Sequence, residues 1–237
     1  MNKIFFILLL IQFSYSQAQV PWLYENSFFT GKQILESYDG GTVILANDDG
    51  FYGPSKIFKL DNTGEVLWIH TFEEDVSTLP LCMGETSNGD IVIGGRTHRY
   101  EEMGDGFLMK LNACGELIWF KKIGYEGEMD TVTHLILDEE GYINLIHYLP
   151  ATGDNFTLKS VNSNGTILWS KVLLEGGGGS PEGFSTTKDG GFLVHGSYYA
   201  PPYYNQEFST GYLRNAIVKT DSLGNEEWRN IYRWEED

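Results

Sequence analysis

The chain has 237 residues, with 16 Lys and Arg against 33 Asp and Glu, a formal net charge of −17. A surface that negative repels phosphate backbones and anionic lipid, which argues against nucleic acid and membrane surfaces as partners. Aromatic residues make up 14% and there are 28 glycines, a composition that favours strands joined by tight turns over helices.

Residues 1–18 read as a cleavable secretory signal. Lys3 supplies the positive start, residues 4–13 form an apolar run broken only by Gln12, and Ser16-Gln17-Ala18 is a small-x-small cleavage site. The run is too short for a membrane span, and no later stretch is long enough for one. Residues 19–237 are therefore expected to be a secreted or cell-surface domain, the periplasm being the other compartment such a signal serves. Loss of Lys3 with the leader leaves 15 basic residues against 33 acidic ones, a net charge of −18.

From about residue 32 the chain repeats itself. Four segments share the pattern Asp/Asn-x-x-Gly-x-x-x-Trp: Asp61, Gly64 and Trp68; Asn112, Gly115 and Trp119; Asn162, Gly165 and Trp169; Asp221, Gly224 and Trp228. Successive tryptophans are 51, 50 and 59 residues apart, a period that signals repeat architecture. An earlier turn opens each unit: Asp39-Gly40-Gly41, Asn88-Gly89-Asp90, Glu140-Gly141-Tyr142 and Asp189-Gly190-Gly191, each followed by an apolar strand. Glycine supplies the positive φ such hairpins need. The units run over about 32–72, 80–123, 131–173 and 181–232. In the second, strands are expected over 81–86, 90–96, 106–111 and 116–123, with no helical period anywhere.

A four-stranded antiparallel unit cannot bury both of its faces alone, but neighbours stacked around an axis can, which is the logic of a β-propeller blade. The expected fold is all-β, a propeller of four blades of about 50 residues, with the tryptophans packing between blades. Pro21-Trp22-Leu23 resembles an additional outer strand, and Trp228 is close to the end of the sequence. The expectation is thus an incomplete, open propeller, with further C-terminal blades or a sorting domain beyond it. A closed four-bladed ring is the competing arrangement.

The Lys59–Trp68 element, with its Thr63-Gly64 turn, resembles the tryptophan-docking repeat of pyrroloquinoline-quinone (PQQ)-type propellers. The whole unit resembles repeats in secreted Bacteroidetes proteins of the type IX export system. The resemblance covers residues 32–233 and implies architecture more than activity, since one fold hosts many functions. Quinone-dependent dehydrogenases of this fold have eight blades, a calcium site and adjacent cysteines under the cofactor. Four repeats and the separated Cys82 and Cys114 do not match that set, so no quinone is implied. Export permits a Cys82–Cys114 bridge, but two free thiols are the stronger expectation.

The connections from second to third strand vary in length and content, as binding loops do. The most distinctive holds Tyr198, Tyr199, Tyr203, Tyr204, Phe208 and Tyr212 around Pro201-Pro202. Tyrosines offer flat faces with hydroxyl rims, suited to a protein or carbohydrate partner; covering the blade edge is their plainer role. His134, His147 and His195 lack metal-ligand spacing, although repeat alignment gives His147 and His195 similar second-strand positions. The acidic runs Asp48-Asp49, Glu73-Glu74-Asp75, Glu101-Glu102 and Asp138-Glu139-Glu140 read as solvated loop charge, with irregular Ca²⁺ binding as the minor alternative. No metal site and no cofactor is expected. No nucleophile elbow, zinc motif or phosphate loop is present. The reading is a non-enzymatic binding or scaffold propeller, with a polysaccharide hydrolase or a truncated piece of a larger exported protein as alternatives.

Overall fold

The structure, a computed structural model, describes residues 29–48, 54–72, 78–97, 104–124, 129–149, 154–175, 179–199 and 213–232. These form four antiparallel sheets of four strands each, every sheet running in simple sequence order from inner to outer strand. The first blade comprises β1 (Phe29–Glu36), β2 (Thr42–Asp48), β3 (Lys56–Leu60) and β4 (Val66–Thr71). The second has β5 (Thr78–Glu85), β6 (Ile91–Thr97), β7 (Gly106–Leu111) and β8 (Leu117–Lys122). The third has β9 (Thr131–Leu137), β10 (Ile143–Tyr148), β11 (Asp154–Val161) and β12 (Ile167–Glu175). The fourth has β13 (Gly179–Thr186), β14 (Phe192–Tyr199), β15 (Leu213–Thr220) and β16 (Glu226–Tyr232). No helix occurs among the described residues, and the strands of the second repeat fall within three residues of their expected bounds.

Each blade is shaped by the same local devices. In the turn from third to fourth strand the Asp or Asn side chain closes the loop. Asp61 Oδ1 accepts from the backbone N–H of Thr63 and Glu65 at 2.8 and 2.9 Å, and Asn112, Asn162 and Asp221 do the same in their own turns. The glycine that follows has φ between 75° and 87°, a left-handed conformation that a side chain would strain. This is a type I turn followed by a glycine bulge, and the pairing register shifts beside it in all four blades. A second bulge recurs between first and second strands, at Lys32, Leu81, Thr133 and Glu182. The sequence pattern does not announce that one.

Strand alternation gives each blade two apolar faces, and three core clusters fill the three seams. Val43, Leu45 and Ile57 meet Met83, Ile93 and Phe107 between the first and second blades. Cys82, Val92 and Leu108 meet Val132, Ile143 and Leu145 between the second and third. Ile146, Phe156 and Leu158 meet Phe192, Val194 and Val218 between the third and fourth. Full burial of such side chains contributes about 1.5–3 kcal/mol each, so stability resides in the seams. No described cluster joins the fourth blade to the first, and the four blades form an open arc, not a four-bladed ring.

The tryptophans mark the outer rim. Trp68 Nε1 donates to Ala113 O at 2.9 Å and Trp119 Nε1 to Ser163 O at 3.2 Å, each reaching the next blade's turn. Trp169 lies against Gly224, where a Cβ would approach its ring to 2.5 Å. These three rings are half-buried, so they seal the seam edges and are not part of a deep core.

Candidate functional site

The eight tight turns gather at one end of the arc. The other end carries the second-to-third-strand connections at 49–55, 98–105, 149–153 and 200–212, together with the inter-blade links. Tyr198 and Tyr199 close β14 at this loop end, where their backbones pair with Arg214 and Leu213. Tyr203, Tyr204, Phe208 and Tyr212 lie outside the described residues, as do the signal-like residues 1–18, the Trp22 segment, and the acidic runs at 73–75 and 101–102. Asp138-Glu139-Glu140 belongs to a tight turn at the opposite end, where Asp138 Oδ1 accepts from Glu140 and Tyr142 N–H groups.

Beneath the loop end, in the seam between the second and third blades, three titratable side chains meet. Asp130, just before β9, and His147, late on β10, are fully buried, with His147 Nε2 3.1 Å from Asp130 Oδ1. The approach is close but off the line of a strong hydrogen bond, and His147 Nδ1 has no partner. The same Asp130 oxygen accepts the Gly106 N–H at the start of β7, and Asp130 N donates to Gly104 O at 3.1 Å. Lys159 on β11, 7% exposed, adds its charge to the cluster.

Glycine makes this approach feasible. A Cβ on Gly124 would overlap the Asp130 carboxylate, and one on Gly106 would crowd both Asp130 and His147 Nε2, at 3.2 Å from the latter. By strand register His147 stands where the other blades carry Ala46, Gly95 and Gly196, so the second blade's glycines leave the volume that the imidazole fills. Lys159 stands where the others carry Phe58, Met109 and Val218. Burial pushes the His147 imidazole and the Lys159 amine below their usual values, and the Asp130 charge opposes both shifts. A neutral imidazole beside a buried carboxylate suits proton transfer in principle, but Asp130 and His147 are sealed from solvent. The arrangement can latch the ends of β7 and β8 to the third blade; it cannot receive a substrate.

One expectation is revised by this geometry. His147 and His195 do not share a position: His195 aligns with Ile146, one residue away, and so faces the opposite side of its sheet. Asp130 and Lys159 carry no local motif and were not singled out from the sequence; only the lysine's displacement by one residue from the series Lys59, Lys110, Lys219 could have marked it.

At the turn end a shallow cleft of about 270 Å³ lies between the first and second blades, lined in part by Ser37, Asp39, Lys59, Glu85 and Asn88. Lys59 Nζ donates to Ser37 Oγ and, at 2.8 Å, to Asp39 Oδ1, while the serine hydroxyl donates to Glu85 at 2.6 Å. A Ser–Lys pair could be a nucleophile with its base. Here the carboxylates of Asp39 and Glu85 flank the ammonium at 2.8 and 3.9 Å, so the group holds the two blades together. Related pairs, Lys110–Asp90 at 2.8 Å and Lys219–Asp189 at 3.0 Å, recur in the second and fourth blades.

No family model matches the chain, and no curated protein matches it. Solved structures do. A quinohemoprotein alcohol dehydrogenase from Pseudomonas putida HK5 matches with a TM-score of 0.54 at 12% identity, over 82% of this chain and 45% of its own. The fold is a quinoprotein-type β-propeller. A europium-containing methanol dehydrogenase matches this propeller with a TM-score of 0.51 at 14% identity, over 86% of this chain and 44% of its own. A protein of unknown function from Dyadobacter fermentans gives 0.55 at 11% identity, over 84% and 63%. This propeller therefore spans less than half the length of either dehydrogenase. Its residues do not fit a quinone centre: Cys82 is buried in a seam and Cys114 is exposed in a turn, both as free thiols. Among the described residues no three His, Cys, Asp or Glu side chains form a metal-holding group.

Proposed function

We propose that this propeller is an exported, non-catalytic binding module whose loop end meets a protein or carbohydrate at the cell surface. The observation that carries the reading is the contrast between the two ends of the arc. Eight glycine hairpins of one geometry build the turn end. At the loop end the connections differ in length, and the buried Asp130 latch holds the roots of the connections at 98–105 and 123–130 in place. A uniform rigid end with a varied end above it is how scaffolds carry recognition loops. The aromatic run from Tyr198 to Tyr212 supplies the contact chemistry, since rings with hydroxyl rims bury apolar area and still hydrogen-bond. The signal-like start supports export, and the sealed Asp130–His147 pair supports binding over catalysis.

The test is a glycan array, together with binding to intact source cells, for the purified protein and for the Tyr203→Ala/Tyr204→Ala variant. Retention by glycans or cells that falls at least about tenfold in the variant supports the reading, that loss corresponding to about 1.4 kcal/mol. Equal retention removes this loop from the contact. Turnover of any polysaccharide that is lost on changing one or two loop carboxylates would replace the reading with a hydrolase.

A further inference from the structure

The two end faces of the arc are unequal halves of the same seam. On the open side of the fourth blade Leu193 and Ile217 are partly exposed and Trp228 is 45% exposed. Their counterparts facing a following blade, Val43 and Val92, and Ile57, Leu108 and Leu158, are exposed by no more than 1%. On the open side of the first blade Ile34 is 67% exposed, whereas its counterpart Met83, under the preceding blade, is 1% exposed. The turn glycines Gly115, Gly165 and Gly224 each lie against the tryptophan of the preceding blade; at Gly64 no described residue comes within 4 Å of a Cβ position. One end thus offers a tryptophan without a following turn among the described residues, and the other offers a turn without a preceding tryptophan.

We propose that a second copy of this chain docks head to tail, the fourth blade of each copy packing on the first blade of the other, and that two arcs close one ring. Such a contact is heterologous and closes only where curvature allows. The curvature here matches a larger ring: over four-fifths of the chain aligns with less than half of the Pseudomonas dehydrogenase. Two copies would span most of that length. The centre of the first blade's outward face is already covered, as buried Phe58 shows, so contact runs along the inner strand at Ile34 and the turn at Gly64. On the fourth blade Gly183 stands where Gln33, Cys82 and His134 occupy the other inner strands. Gln33 exchanges hydrogen bonds with the Met83 backbone at 2.8 and 2.9 Å, and Cys82 Sγ reaches Val132 O. At Gly183 the exposed His195 imidazole lies over the vacant position instead, where it can meet the backbone of the second copy near Ile34.

Sedimentation equilibrium of the purified full chain in the micromolar range tests this. A species of two chains is expected. Trp228→Asp and Ile34→Asp should each give a monomer with unchanged far-ultraviolet circular dichroism, because both residues lie on exposed faces. Mixing the two variants should restore a two-chain species weaker than the wild type, because one of its two seams joins the intact faces while the other joins the two altered ones. A monomeric wild-type protein would overturn the proposal, as would indefinite polymers, variants that keep the parental mass, or a mixture that stays monomeric.

Discussion

Nε2 of His147 lies 3.1 Å from Oδ1 of Asp130, with both side chains sealed between the second and third blades. Burial is the larger influence on the imidazole and holds its pKa below 6.5, with the Asp130 carboxylate opposing it. His147 is therefore neutral in the folded protein at pH 7 and free to protonate once unfolded.

The consequence is a stability that falls with acidity. Below pH 6.5 the unfolded chain binds a proton that the folded chain refuses, so the folded state loses up to about 1.4 kcal/mol per pH unit for this one group. His134, lowered by burial as well, acts with the same sign. Urea unfolding between pH 7.5 and 5 should show the decline, and His147→Gln should flatten part of it. An unchanged slope in the variant would mean that His147 binds its proton alike in the folded and unfolded states.

Lys159 replaces an apolar residue of the other blades, and burial lowers its pKa. Lys159→Met, which copies Met109, should raise the thermal midpoint, with a gain of about 1–2 kcal/mol from removing a poorly solvated charge. Asp130 keeps its contacts with Gly106 N–H and His147. A lower midpoint would show instead that the ammonium is needed to balance that carboxylate.

Gly124→Ala should cost about 2–3 kcal/mol, because the added methyl overlaps the Asp130 carboxylate. Asp130→Ala alone should also destabilise, by stranding the Gly106 N–H and His147. The double variant should lose less than the sum of the two, since the clash disappears with the carboxylate. A chemical-denaturation cycle measures this coupling, and strict additivity would refute the contact.

At the turn end, a second acid transition is expected at lower pH. The Lys59 ammonium and the Gly41 N–H hold Asp39 at about 2, and the Thr187 hydroxyl followed by Lys219 holds Asp189 at about 2. Their contribution is complete above the unfolded value of 3.8 and is lost as pH falls towards 2. Both carboxylates are largely exposed, so the effect should shrink in high salt. Denaturation curves from pH 4.5 to 2 at low and high ionic strength would reveal it.

Much of the fold is legible in the chain because its cues are local. Gly64 and Trp68 recur at one spacing, and the Asp or Asn before each glycine closes a turn within five residues. Repeat counting gives the four blades, whereas the open arc is expected from the additional Trp22 segment, with a closed ring as its competitor. The site is less legible because it is built across a seam. Asp130 acts through Gly106, Gly124 and His147, residues up to two dozen positions away with no shared pattern. The alignment of His147 with His195 failed by one residue, and in a strand a shift of one turns a side chain to the other face. The bulges at Lys32, Leu81, Thr133 and Glu182 were equally invisible, since an extra residue in a pairing changes no composition.

Three separate apolar clusters, each shared by only two adjacent blades, make the arc a short chain of nearest-neighbour couplings. The middle blades are gripped from both sides and the outer two from one. In the monomeric Trp228→Asp variant, amide hydrogen exchange should accordingly be slowest in β6, β7 and β10 and quicken outward in both directions, so that damage to a terminal blade of a lone arc peels it away while the central pair persists.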